Sequence, residues 1–106
     1  MNPPNLSQTP RSPVPQEVST ELQRVVQRWR QLPLDHALSY AGRVRALVQS
    51  LADRVARTDG SPLSMVPDHG PATLMDQLTV MVHDASAASV TSTLAEDLAD
   101  LRRELS

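Results

Sequence analysis

The stretch that decides the fold is "LDHALSYAGRVRALVQSLADRVAR", residues 34–57. Its apolar residues recur every three or four positions, which is the period of an α-helix, and Pro33 stands directly before them. They cover nearly half of the helical wheel, whereas a helix that packs against one neighbour shows a narrower stripe; Gly42 falls on the polar side. The pattern predicts a long helix that contacts two neighbours, or one whose face is completed by another chain.

The residues before this stretch predict a shorter amphipathic helix over residues 16–32. Pro15 suits the first helical position, and Pro33 ends the helix because the residue before a proline is pushed out of the α region. The apolar residues fall within about 120° of the wheel. They are Val18, Leu22, Val25, Val26, Trp29 and Leu32.

The last third of the chain predicts two helices, over residues 71–86 and 90–105. Gly70 and Pro71 suit the N-cap and the first position of the earlier helix. A single straight helix would place its first and last apolar residues on opposite faces, so we expect a break within residues 86–93. Thr93 and Glu96 have the spacing of a capping box for the last helix.

These patterns together predict an all-α protein, a small bundle of about four helices (three to five), mostly antiparallel. Residues 16–106 form the helical bundle domain. Residues 1–15 hold five of the nine prolines and little apolar surface, so we expect a disordered N-terminal tail.

The composition removes several classes of function. All ten cationic residues are arginine against twelve carboxylates, and neither lysine nor cysteine occurs. The chain therefore lacks the lysine of a Walker phosphate loop or a Schiff base, and it lacks thiolates for catalysis, disulfides or zinc. The residue usage is typical of a GC-rich, bacterial genome. With no signal peptide and no run of about 18 apolar residues, we expect a cytoplasmic protein that does not bind membranes.

No catalytic motif stands out, and we predict a non-enzymatic protein without a cofactor. The alternative is a metal- or small-molecule-binding site that uses Asp68, His69 and His83. No histidine or carboxylate lies three or four residues from His83, so only a tertiary approach would bring ligands together.

A second alternative is a DNA-associated regulator, since residues 50–66, "SLADRVARTDGSPLSMV", resemble the start of a helix-turn-helix. The segment in the place of the recognition helix, "SPLSMVP", is short, contains two prolines and has no basic residue. The net charge of −2 also differs from the basic surface that DNA binding needs, so no nucleic-acid partner is expected.

The width of the apolar face on the second helix favours a small interaction or regulatory protein that acts through this face. The partner is expected to be a protein, either a second copy in a homodimer or a heterologous helical chain, and the sequence leaves both open. The predicted interface residues are Trp29, Tyr40, Val44, Leu47 and Leu51.

Overall fold

The computed structural model describes residues 14–106, so all but the last two residues of the predicted tail lie outside it. Four α-helices follow one another: α1 (Gln16–Gln31), α2 (Leu34–Asp59), α3 (Leu74–Ala87) and α4 (Leu94–Leu105), with a 3₁₀ turn at Pro71–Thr73 before α3. Residues 14–106 contain no strand. The prediction of an all-α fold with four helices is confirmed.

The helices end where local chemistry stops them. Gly60 follows α2 with φ 72°, and the N–H of Ser61 donates to the carbonyl of Ala56 at 2.8 Å, so this end has a Schellman motif. The break between α3 and α4 uses the same motif without a glycine. Ser89 has φ 60°, and the N–H of Val90 donates to the carbonyl of Ala85 at 2.7 Å.

The start of α4 corrects one local prediction, because the capping box does not form. Thr93 occupies the N-cap position, but its side chain makes no hydrogen bond to the helix backbone. Its hydroxyl donates to the carboxylate of Asp97 at 3.1 Å and accepts from Arg54 at 3.3 Å. The charged pair of Arg54 and Asp97 therefore competes successfully for the hydroxyl that a capping box would use.

The helices pack as two close pairs, α1 with α4 and α2 with α3. Glu21 pairs with Arg102, and Arg28 lies at the carbonyl of Leu105, so α1 and α4 run in the same direction. The contacts of α2 with α4, Arg54 to Asp97 and Arg43 to Glu104, run in opposite directions.

The connection over residues 60–73 explains how α3 lies beside α2. It returns along α2, so that the N–H of Val66 donates to the side chain of Gln49 at 2.8 Å. Gln77, in the first turns of α3, lies near Gly42 in the first half of α2, and the chain enters α4 beside Arg54. α3 therefore runs along α2 in the same direction, and α4 runs back.

The core is aliphatic and is shared by all four helices. Val25, Val44, Leu51, Leu78 and Leu98 have no exposed surface. None of the helices within residues 14–106 combines the length and the apolar character that crossing a bilayer requires.

Candidate functional site

The bundle buries most of the residues that the sequence predicts as an interface. Val44 and Leu51 are fully buried and Leu47 is 6% exposed, while Trp29 and Tyr40 are partly buried against the same core. Both α3 and α4 pack on α2, which accounts for the width of its apolar face. Val44, Leu47 and Leu51 are therefore core residues of the folded bundle, and a partner that docks on its surface does not reach them.

Exposed large apolar side chains concentrate in another part of the molecule. Within residues 14–106 they all belong to α2, to the connection that follows it, or to α3. They are Leu34 (74% exposed), Leu38 (49%), Leu63 (52%), Met65 (82%) and Val80 (56%). Contiguous exposed apolar surface on a small protein often marks a contact surface, which makes these elements the candidate site.

A groove between α2 and the connection includes one of these side chains, Met65, in its wall, and we call it the α2 groove. Its volume is about 380 Å³ and its walls are mainly apolar; they include Gly42, Ala46, Val48, Met65, Val66 and Pro67. A second apolar cleft of about 350 Å³, lined by Val80 and Met81, shares Val66 and Gln77 with it. The two clefts therefore form one continuous apolar surface on either side of Val66.

Amide side chains hold the outer wall of the groove. Gln49 donates to the carbonyl of Ser64 at 3.0 Å and accepts from the N–H of Val66 at 2.8 Å. Gln77 donates to the carbonyl of Pro67 at 2.8 Å. The connection carries few buried side chains, so these bonds, rather than a core of its own, hold it against α2 and α3.

The polar side of the groove is formed by Arg45. One of its terminal nitrogens lies 3.3 Å from a carboxylate oxygen of Asp68, which also accepts from the N–H of Gly70 at 2.9 Å. The Nε of Arg45 is buried and makes no hydrogen bond. The Arg45 side chain is still 38% exposed, so a carboxylate that a ligand brings to this edge gains a favourable interaction with its charge.

The floor of the groove has open space at Gly42. A Cβ built on this residue meets no atom within 4 Å, and Gly42 is exposed within α2. Leu38 lies one turn before it and Ala46 one turn after it, on the same side of the helix. α2 therefore presents two exposed leucines followed by two small residues, and we call Leu34, Leu38, Gly42 and Ala46 the α2 stripe.

The residues of the two alternative sequence hypotheses lie apart. Asp68 belongs to the Arg45 contact, His69 is exposed on the connection, and His83 is exposed on α3 with its Nδ1 3.0 Å from the carbonyl of Thr79. No group of three histidine, aspartate or glutamate side chains within residues 14–106 is placed to hold a metal ion. Residues 61–70, the place of a recognition helix, contain no helix.

The α1/α4 pair has a charged seam instead of an apolar groove. Glu21 accepts from Arg102 at 2.8 Å and from Arg24 at 3.3 Å, and Arg28 donates to the carbonyl of Leu105 at 2.9 Å. The hydrogen bond from Arg102 lowers the pKa of Glu21, with a smaller opposing effect of burial and further lowering by the arginine charges. This seam fastens one helix to the other.

No protein-family model, curated protein or solved structure matches this chain. A proposal for its function therefore rests on the arrangement of its own side chains.

Proposed function

We propose that this chain is a non-enzymatic interaction module that binds an α-helix of a polypeptide partner along the α2 stripe and the α2 groove. The observation that carries the proposal is the segregation of exposed large apolar side chains to α2, the connection and α3. An apolar helix buried in a groove is a common mode of peptide recognition.

The chemistry of the surface specifies its occupant. Gly42 leaves open space at the groove, Ala46 presents only a methyl group there, and Leu38 and Met65 offer exposed apolar surface. The partly exposed, positively charged side chain of Arg45 lies at one edge, where a carboxylate would complement it. The expected partner is therefore a helix with leucines one turn apart and an acidic residue beside them.

The test uses a fluorescein-labelled stapled helix of about 18 residues, with leucines at four-residue spacing and one aspartate. We expect the full chain to raise its fluorescence anisotropy with a Kd on the order of micromolar, because the apolar contact is short. A peptide with serines in place of the leucines is the control and should bind at least about ten times more weakly, a difference of about 1.4 kcal/mol.

The matched protein variants are Gly42→Leu and His36→Leu. Gly42→Leu fills the groove in a helical position that has space for a side chain, so the fold should be kept while peptide binding falls. His36→Leu adds an apolar residue to an exposed position of α2 outside the α2 stripe and should bind as the native chain does. Equal binding of the leucine and serine peptides, or unchanged binding to Gly42→Leu, would overturn the proposal.

A further inference from the structure

The α2 helix of this chain has the features expected of the helix that would bind in the groove. We infer that the partner is a second copy of this chain, and that the two copies pair through their α2 helices in antiparallel orientation. This inference rests on the proposed function and goes further by naming the partner.

The order of residue sizes along α2 favours an antiparallel pairing. Leu34 and Leu38 are large and exposed, and they precede Gly42 and Ala46, which are small and exposed. When two such helices run in opposite directions, the large half of each faces the small half of the other. Leu38 of one copy then occupies the open space at Gly42 of the second copy, and the same contact repeats by symmetry.

The alignment that places Leu38 opposite Gly42 also determines which charged residues face each other. It brings Leu34 to the level of Ala46 and Asp35 to the level of Arg45, within reach of a long arginine side chain. Arg45 pairs with Asp68 but its side chain stays 38% exposed, and Asp35 is exposed and makes no ion pair within the described residues. Opposite charges therefore come together at both ends of the contact.

A parallel pairing lacks both kinds of complementarity. It would place Leu38 against Leu38 and Gly42 against Gly42, which leaves the open space unfilled. It would also bring Arg45 close to Arg45 and Asp35 close to Asp35, and like charges at an interface are unfavourable. The size order and the charge order of the α2 stripe thus select the same orientation.

The extent of the contact predicts a weak dimer. The α2 stripe runs from Leu34 to Ala46, about 18 Å by helix rise, with Met65 beside it. Specific interfaces of stable complexes bury about 1,200–2,000 Å², and one helix stripe with a short flank lies at or below the lower end of that range. We expect dissociation on the order of micromolar concentration.

Cysteine pairs test the orientation, because the full chain contains no cysteine. Leu38→Cys and Gly42→Cys are prepared separately, mixed and oxidised, and each is also oxidised alone. We expect the mixed disulfide to form at least about five times faster than either symmetric one, since only the mixed pair lies at one level and a disulfide needs close Cα atoms. A faster symmetric disulfide of Leu38→Cys, or no disulfide, would overturn the antiparallel pairing.

Light scattering on cysteine-free variants gives a second measurement that does not depend on thiol chemistry. The native chain should pass from dimer to monomer on dilution, Gly42→Leu should be monomeric, and the size exchange Leu38→Ala/Gly42→Leu should recover the dimer. A native chain that is monomeric throughout while it binds the leucine peptide would overturn the second copy as partner and leave the proposed function standing. Loss of peptide binding as well would overturn both.

Discussion

The two close helix pairs of this bundle are stabilised by different kinds of polar contact. Charged side chains close the α1/α4 pair, where Glu21 binds Arg102 and Arg28 binds the end of α4. In the described residues no ion pair joins α2 to α3; the amides of Gln49 and Gln77 hold the connection against them instead. The first pair is held by ion pairs between its own residues, whereas apolar side chains stay exposed beside the second.

The charges of α1 and α4 also suit the dipoles of these helices. Acidic side chains are favourable near the N-terminus of a helix and basic side chains near its C-terminus. Acidic residues lie in both first turns, at Glu17, Glu96 and Asp97, and arginines lie in both last turns. This distribution gives the pair a structural reason for its charges; on the other side of the molecule, α3 has no basic residue in its last turn.

The largest expected effect is on the free energy of unfolding, and it distinguishes a core residue of α4 from an exposed residue of the α2 stripe. Leu101→Ala on α4 removes a fully buried side chain and should lower the free energy of unfolding by about 2–5 kcal/mol. Leu38→Ala on α2 should change it by less than about 1 kcal/mol, because half of this side chain is exposed, yet it should weaken binding of the leucine peptide. Urea denaturation measures both; a Leu38→Ala variant as unstable as Leu101→Ala would place Leu38 in the core and contradict the comparison.

A middle-sized effect tests the outer wall of the groove. Gln49→Ala removes the acceptor of the Val66 N–H and the donor to Ser64, which should cost about 1–2 kcal/mol and raise amide hydrogen exchange over residues 63–70. Gln23→Ala, at an exposed position on α1, is the matched control and should change neither quantity. Unchanged exchange in Gln49→Ala would mean that other contacts hold the connection.

The smallest effect concerns the charged seam and depends on pH. Because the folded-state pKa of Glu21 is lowered from about 4.5, its stabilisation is present above that value and is lost as the pH falls through the folded pKa. Glu21→Gln should therefore cost at most about 1 kcal/mol at neutral pH and nothing in strong acid. Denaturation as a function of pH checks this, with Asp84→Asn as control, since Asp84 is exposed and makes no ion pair within the described residues. A difference that grows toward acid would contradict the role of Glu21.

The helices could be predicted from the sequence because the residue patterns that define them are local. The three- and four-residue spacing along residues 34–57 predicts α2, Pro33 predicts the end of α1, and the opposed apolar faces of residues 74 and 98 require the break that Ser89 provides. Ser89 itself was not predictable, since a left-handed serine has no distinguishing pattern.

The α2 groove could not be predicted from the sequence, because it depends on the path that the connection takes in the tertiary structure. The wheel shows a broad apolar face on α2 but not which edge α3 and α4 cover, so Val44 and Leu47 were as plausible at an interface as Leu34 and Leu38. Gly42 falls on the polar side of the wheel and becomes part of a groove only because the connection returns beside it. The hydrogen bond from Val66 to Gln49 that fixes this return joins residues far apart in the sequence.

Amide chemical-shift mapping on adding the stapled leucine peptide locates the binding surface, because it reports on every part of the bundle at once. We expect the shifts to concentrate on residues 34–49 and 63–67, while the amides of α1 and α4 change little. Shifts that centre on α1 and α4, or that spread evenly over all four helices, would contradict binding at the α2 stripe and the α2 groove.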